Sequence, residues 1–115
     1  MNDETLLRTA IELIAEKKGN QTVVIDLRDA PIPTGYFVIT EGDNSVHVKA
    51  IAANLRNGFP LKTIHREGLT ERRWIVLDYG EIVIHIFLHE TRAFYDIESL
   101  WADHIINVET EEPVA

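Results

Sequence analysis

The fold is decided by residues 74–87, whose sequence is WIVLDYGEIVIHIF. Two runs rich in β-branched and aromatic residues, 74–77 and 82–87, flank a short polar segment that contains a glycine. Runs of this kind on either side of a glycine-bearing turn are typical of a β-hairpin. We therefore predict a hairpin in which Leu77 lies opposite Ile82, with the rest of the chain packed around it.

The two faces of this hairpin differ in composition, because side chains alternate across a sheet with period two. One face is wholly apolar and is predicted to be core: Ile75, Leu77, Ile82, Ile84 and Ile86. The other face is rich in aromatic residues and includes two ionisable groups: Trp74, Val76, Asp78, Val83, His85 and Phe87. This second face is either a packed layer under a helix or a docking surface, and the apolar pattern alone favours the packed layer.

The segment after the hairpin has helical spacing. With about 100° per residue, one apolar arc is predicted to face the core. Its members are Ala93, Phe94, Ile97, Leu100, Trp101 and Ile105. Tyr95 falls on the acidic remainder of this helix. An exposed tyrosine is ordinary, but tyrosine also anchors protein interfaces, so Tyr95 is a candidate contact residue.

Upstream of the hairpin, apolar periodicity and turn residues predict alternating helices and strands. We predict a helix ended by Gly19, strands over 22–27 and 36–40, a helix over about 46–57 and a strand over 61–66. Adding the hairpin and the last helix gives the order α-β-β-α-β-β-β-α. The sequence therefore predicts a single α/β domain with a sheet of about five strands and helices packed on it.

Composition predicts one ordinary domain in a reducing compartment. The chain has 115 residues, 45% of them hydrophobic, and no cysteine. A chain of this size can bury a core without disulfides. The first residues lack the basic and apolar regions of a secretory signal, and no apolar stretch approaches membrane-spanning length. We expect a cytoplasmic protein without membrane association.

The net charge of −8 argues against direct binding to nucleic acid, because affinity for a phosphate backbone comes mostly from Lys and Arg. A chain of this charge that works near nucleic acid is expected to bind a basic protein. From Glu90 onward, Arg92 is the single Lys or Arg residue. Since residues 106–115 are acidic and poor in apolar side chains, we predict a folded domain over 1–105 and a disordered tail over 106–115.

No motif predicts catalysis, a metal or a cofactor. The loop over 41–45 joins a strand to a helix, but its one glycine is flanked by acids, so a helix cap is favoured over a phosphate site. The strand over 61–66 has no paired carboxylates to hold Mg²⁺, which excludes nucleotidyl transfer. The histidines lack the spacing of a helical zinc pair, and no nucleophile has a recognisable setting.

A set of motifs runs through nearly the whole chain up to Trp101. They are VIDL at 24–27, YFVI at 36–39, Gly42, HVKAIA at 47–52, EGL at 67–69, WIVLDYG at 74–80, VIHIF at 83–87, RAFY at 92–95 and LW at 100–101. In combination these motifs strongly resemble the ribosomal silencing factor family, also called RsfS, Iojap or YbeB.

The resemblance implies a mixed sheet with a degenerate nucleotidyltransferase-like topology and no catalysis. It also implies binding to the large ribosomal subunit through the fourteenth large-subunit ribosomal protein, at the face where the small subunit joins. Occupancy of that face would block subunit association and lower translation when nutrients are short, and organelle relatives act in large-subunit assembly. An acidic protein that docks on a basic ribosomal protein agrees with the charge argument, which does not use the resemblance.

We predict a docking surface that includes the mixed face of the hairpin, its turn and the last helix: Trp74, Asp78, Tyr79, His85, Phe87, Arg92 and Tyr95. Buried aromatics would supply most of the affinity, and carboxylates would steer the encounter with a basic partner. Two alternatives stay open. One is a homodimer that uses the same surface, and the other is a vestigial nucleotide binder at the Gly42 loop.

Overall fold

A computed structural model describes residues 2–108 and 112–113 of the chain. Its helices are α1 (Asp3–Glu16), α2 (Ser45–Gly58), α3 (His89–Tyr95) and α4 (Ile97–Leu100), followed by a 3-10 turn at Ala102–His104. Its strands are β1 (Asn20–Asp26), β2 (Tyr36–Gly42), β3 (His65–Glu67), β4 (Trp74–Asp78), β5 (Ile82–Leu88), β6 (Ile105–Asn107) and β7 (Glu112–Pro113).

These strands form one mixed sheet in the order β3-β4-β5-β2-β1-β6-β7. The central strands β2 and β5 are parallel, and each other neighbouring pair is antiparallel. The predicted α/β class with a mixed sheet is therefore confirmed. The sheet has more strands than expected, because β6 and β7 come from a segment that was predicted as helix and tail.

The hairpin of β4 and β5 is present, but its register differs from the predicted one. Leu77 pairs with Ile84 and not with Ile82. The partner of each β4 residue is therefore shifted by two positions along β5. Because side chains alternate with period two, a shift by two leaves every side chain on its predicted face.

The register differs because the turn is tighter than predicted. The backbone N–H of Tyr79 donates to the carbonyl of Ile82 at 2.9 Å, so only Gly80 and Glu81 form the loop. Gly80 adopts a φ of 92°, a conformation that glycine favours in short hairpin turns. Its N–H donates to Oδ1 of Asp78 at 2.8 Å, which closes the turn.

The main core lies between the sheet and helices α1 and α2. The five apolar residues predicted to face it are at most 1% exposed: Ile75, Leu77, Ile82, Ile84 and Ile86. They pack with residues of both helices, including Leu7, Ala10, Ile51 and Leu55. Burial of each such aliphatic side chain is worth about 2 kcal/mol.

A second, smaller core lies on the opposite face of the sheet. It is centred on Ile25, Leu27, Ile39 and Phe87. The loop before β2 covers it from one side, through Ala30 and Ile32, and residues after α3 cover it from the other, through Ile97 and Trp101. The aromatic-rich face of the hairpin is therefore partly a packed layer, as the apolar pattern favoured.

The prediction of one helix through residue 105 is wrong. Helix α3 ends at Tyr95, and Asp96 adopts a left-handed backbone with φ 43° and ψ 52°. Because of this break, the residues of the predicted apolar arc no longer share one face. Phe94 and Leu100 are 81% and 77% exposed, whereas Trp101 packs on the second core.

The domain also continues past the predicted boundary at residue 105. Strand β6 pairs with β1, and Val108 is only 7% exposed within the main core. Residues 109–111 and 114–115 of the predicted tail lie outside the described residues. Across the described part of the chain, no helix has the length and apolar character needed to cross a membrane.

Candidate docking surface

Three aromatic side chains cluster at the surface where β4 begins and α3 ends. We call Trp74, Phe94 and Tyr95 the aromatic patch. The ring centroids of Trp74 and Tyr95 are 4.8 Å apart, and those of Phe94 and Tyr95 are 5.1 Å apart in an edge-to-face arrangement. Tyr95 is 55% exposed and Phe94 still more so. The patch therefore offers contiguous aromatic surface that a partner could cover.

Trp74 is half-buried and connects the patch to the second core. Its ring stacks on the fully buried Phe87 with 4.8 Å between centroids. Its indole N–H donates to Nδ1 of His85 at 3.0 Å. The ring of Phe37 meets the other side of His85 edge-on at 4.6 Å. The single donor of Trp74 is satisfied, and its ring is held in one orientation.

His85 is neutral in this arrangement. Burial lowers its pKa to about 4, and the charge of Asp78 only partly opposes this shift. Because the indole can only donate, Nδ1 of His85 accepts and the ring proton lies on Nε2. Within the described part of the chain, that Nε2 is buried without a hydrogen-bond partner.

The loop between β3 and β4 fits closely against Trp74. Gly68 has a φ of 80°, and a Cβ at this position would collide with the carbonyl oxygen of Trp74. Only glycine therefore fits here. An open pocket of about 550 Å³ lies between this loop and α3, and its rim includes the carboxylates of Glu71 and Glu90 and the guanidinium of Arg73.

Arg92 connects helix α3 to the start of β1 and the end of β2. Its guanidinium lies 3.2 Å from Oε1 of Glu41, and its Nε donates to Oε1 of Glu98 at 2.7 Å. Its Nη2 donates to the carbonyl of Gln21 at 2.8 Å. Arg92 and Glu41 are 7% and 6% exposed. A buried guanidinium with this many acceptors strongly constrains the position of helix α3 on the sheet.

The whole chain, residues 1–115, matches the sequence model of the family described as "Ribosomal silencing factor during starvation", RsfS. The chain belongs to this family of ribosomal silencing factors. The ribosomal silencing factor RsfS of Halalkalibacterium halodurans is 32% identical over 108 residues, which cover 90% of this chain and 91% of that protein.

Two further relatives extend this comparison. A crystal structure of a Chromobacterium violaceum protein superposes with a TM-score of 0.84 at 27% identity, covering 88% of this chain and 87% of that one. The "Mitochondrial assembly of ribosomal large subunit protein 1" of Mus musculus is 31% identical over 97 residues, which are 79% of this chain and 42% of that protein. The family resemblance seen in the sequence motifs is confirmed, and its names tie the family to translation regulation and the ribosome.

Four of the seven predicted contact residues come together in the structure: Trp74, His85, Phe87 and Tyr95. Two of these four, His85 and Phe87, are buried and can act only by supporting Trp74. Arg92 lies behind α3 in its ion pairs and is likewise buried.

The other two predicted residues lie away from the patch. Asp78 is at the far end of β4, about 13 Å along the strand from Trp74. Its carboxylate accepts the hydrogen bond from the N–H of Gly80 in the turn. Tyr79 is 6% exposed on the opposite face of the sheet, where its ring packs on Phe59 with 4.6 Å between centroids. The aromatic patch therefore does not extend along the hairpin to its turn.

The sequence prediction missed Phe94 and the partner of Arg92. Phe94 was placed in the core, because the apolar spacing continues through the helix break at Asp96. Two signals for the ion pair were present in the sequence: Arg92 is the single Lys or Arg in an acidic segment, and Glu41 is the single charged residue of β2.

The Gly42 loop forms a helix cap, as predicted, with Asn44 as the capping residue. Oδ1 of Asn44 accepts from the N–H of His47 at 2.9 Å, and the N–H of Asp43 donates to Nδ1 of His47 at 2.9 Å. The N–H groups of Asp43 and His47 therefore already have acceptors and are not available to a phosphate. Among the described residues, no three His, Cys, Asp or Glu side chains are grouped so as to hold a metal ion.

Replacement of Arg92 by methionine should destabilise the protein by about 3 kcal/mol, because it leaves the buried Glu41 carboxylate without its cation. The free energy of unfolding from urea denaturation measures this loss. The double variant Arg92→Met, Glu41→Gln should recover part of it, since the unpaired charge is then removed. A single variant as stable as the wild type would show that the ion pair does not anchor α3.

The stability of the protein should fall as the pH is lowered from about 6.5 to 4. In this window the unfolded chain protonates His85 whereas the folded chain does not, so protons favour unfolding. The contribution of this group is about 3 kcal/mol at full effect. The variant His85→Gln can still accept from Trp74 but cannot titrate, so its stability should decline less over the same window. Parallel curves for the two proteins would contradict the assignment.

Proposed function

We propose that this silencing factor binds the large ribosomal subunit through the fourteenth large-subunit ribosomal protein, at the face where the small subunit joins. Its bulk there would block subunit joining and repress translation by occupancy, without catalysis, in the cytoplasm. The observation that carries the proposal is the aromatic patch, in which the exposed Phe94 and Tyr95 lie beside the anchored Trp74. The silencing factor names of the family and its relatives support a ribosomal partner. The particular ribosomal protein is what the resemblance of the sequence motifs implies.

The patch has the properties of a binding hot spot. Aromatic anchors in interfaces typically contribute about 2 kcal/mol or more each when a partner covers them. Trp74 is already held by its stacking on Phe87 and its hydrogen bond to His85. Little side-chain freedom would therefore be lost at Trp74 on binding, which favours affinity.

Charge supports a basic protein as the partner. The patch is bordered by the carboxylates of Glu71 and Glu90 and by one guanidinium, that of Arg73, and the chain as a whole carries a net charge of −8. Carboxylates around an apolar centre speed the encounter with a basic surface and add specificity. The same charge disfavours attachment through ribosomal RNA.

A role in large-subunit assembly is a second candidate. The mouse relative is named for assembly of the mitochondrial ribosomal large subunit. A protein that occupies the joining face of the large subunit could serve either role with the same surface. Cells that lack this protein would distinguish the silencing role from the assembly role. Precursors of the large subunit should accumulate during growth only if assembly depends on this protein.

Purified large and small subunits sedimented with this protein test the proposal. The wild type should travel with the large subunit and reduce the peak of joined ribosomes. The variants Phe94→Ala and Tyr95→Ala should each bind about tenfold or more weakly, because each removes an aromatic anchor. Phe94 is 81% exposed, so its substitution should leave the free energy of unfolding unchanged. Tyr95→Ala also removes a ring contact with Trp74 and should lower that free energy by about 1 kcal/mol at most.

Val46→Ala is the matched control, since Val46 is also a large exposed apolar side chain, at 70% exposure, but lies in the first turn of α2 and belongs neither to the patch nor to the pocket beside it. This variant should bind like the wild type. A wild-type protein that remains at the top of the gradient, as a monomer or as a homodimer, would contradict the proposal. Equal losses for Val46→Ala and Phe94→Ala would contradict the placement of the surface.

A further inference from the structure

An open pocket of about 670 Å³ lies at the C-terminal end of α2, on the face of the sheet opposite the aromatic patch. Three cationic side chains line it, Arg56, Lys62 and Arg66, and no carboxylate does. All three residues are exposed, and within the described part of the chain none of them forms an ion pair. This grouping departs from the chain as a whole, in which 19 acidic residues outnumber 11 basic ones.

Strand alternation explains why Arg66, and not the neighbouring Glu67, lines the pocket. Arg66 pairs with Leu77, so its side chain is on the face where the main core lies. Glu67, the acidic residue of β3, is therefore on the other face, where it lies 3.2 Å from the ring of His65. The edge strand thus directs its cation into the pocket and its carboxylate away from it.

One residue that lines this pocket has a hydroxyl group without a partner among the described residues. Tyr79 lines the pocket and packs on Phe59, and its hydroxyl is shielded from water without a hydrogen-bond partner among the described residues. Buried polar atoms of this kind are rare, because leaving one unpaired is unfavourable. Burial raises the pKa of Tyr79 and the charge of Arg56 only partly opposes this, so the hydroxyl stays protonated and can donate.

We propose that this pocket binds a small molecule that bears a phosphate group, of about the size of a nucleotide. Arg56, Lys62 and Arg66 would neutralise the phosphate, as guanidinium and ammonium groups do in known phosphate sites. Once a ligand displaces the exposed side chains around the pocket, a phosphate oxygen would be the acceptor that the hydroxyl of Tyr79 lacks. The volume of the pocket lies in the range of sites for small ligands.

The charge distribution favours a small phosphate compound over an RNA strand. A polynucleotide would meet the repulsion of a chain whose net charge is −8. The three cations surround one concavity, whereas proteins that follow a nucleic-acid backbone usually carry a longer basic stripe. The pocket shares no residue with the aromatic patch, so phosphate binding there does not depend on ribosome docking.

Titration of the full chain with inorganic pyrophosphate and with adenosine monophosphate, followed by two-dimensional NMR at constant ionic strength, tests the proposal. We expect saturable binding in the millimolar range or tighter, with shifts confined to residues 56–66 and Tyr79. The variants Arg56→Gln and Arg66→Gln should weaken binding about tenfold each. Lys49→Gln is the matched control, because it removes the same charge from an exposed position of α2 outside the pocket, and its affinity should be unchanged.

The variant Tyr79→Phe separates a binding role from a structural one. It keeps the ring that packs on Phe59 and removes a hydroxyl that has no partner, so it should weaken pyrophosphate binding without lowering thermal stability. Absence of saturation with both probes would overturn the proposal. An equal loss with Lys49→Gln would overturn it in favour of diffuse charge attraction. Tighter binding of a single-stranded RNA oligonucleotide through the same arginines would overturn it in favour of an RNA contact.

Discussion

The buried ion pairs of Arg92 determine how the candidate docking surface is built. A guanidinium is tolerated in the interior only when acceptors meet its donors. Here the acceptors are carboxylates on two sides, Glu41 at the end of β2 and Glu98 in α4. This requirement fixes the rotation of α3 about its axis. Since successive helical residues are about 100° apart, Phe94 must lie on the side of α3 opposite Arg92 and therefore faces outward.

The two faces of the sheet have different roles for a simple reason. One face of β4 and β5 carries only aliphatic side chains and is covered by two long helices. The other carries Trp74, His85 and Phe87, and is covered only in part by short elements. The exposure of the aromatic side chains consequently increases from the buried Phe87, through the half-buried Trp74, to the exposed Tyr95. A binding surface that rests on a rigid buried layer is held ready before its partner arrives.

Local patterns predicted a large part of the fold, because alternation and helical spacing directly record which faces are buried. The apolar face of the hairpin, the helix α2 and the α/β class follow from them, whereas the mixed sheet was implied by the family resemblance. Alternation could also have placed Tyr79, which shares the parity of Ile75 and Leu77 and lies on their face. The predicted inclusion of Tyr79 in the docking surface did not use this information.

The remaining features depend on contacts between distant residues. Glu41 is 51 positions from Arg92, and no local rule pairs them. When that pairing is not known, the apolar spacing over 93–105 predicts one uninterrupted helix. The local sequence pattern gives no sign of the break at Asp96. The hairpin register similarly depended on how tightly Asp78 and Gly80 close the turn. Phe94 was misplaced for the first of these reasons, although it is among the most exposed residues of the patch.

Hydrogen–deuterium exchange of the protein, free and bound to purified large ribosomal subunits, locates the docking surface most directly. If the aromatic patch is that surface, exchange should slow on binding in the loop before Trp74 and in residues 89–100, with α1 and α2 unchanged. Protection confined to α1, α2 or the loop over 59–64 would contradict this placement, because the large subunit would then be bound on the opposite face of the sheet.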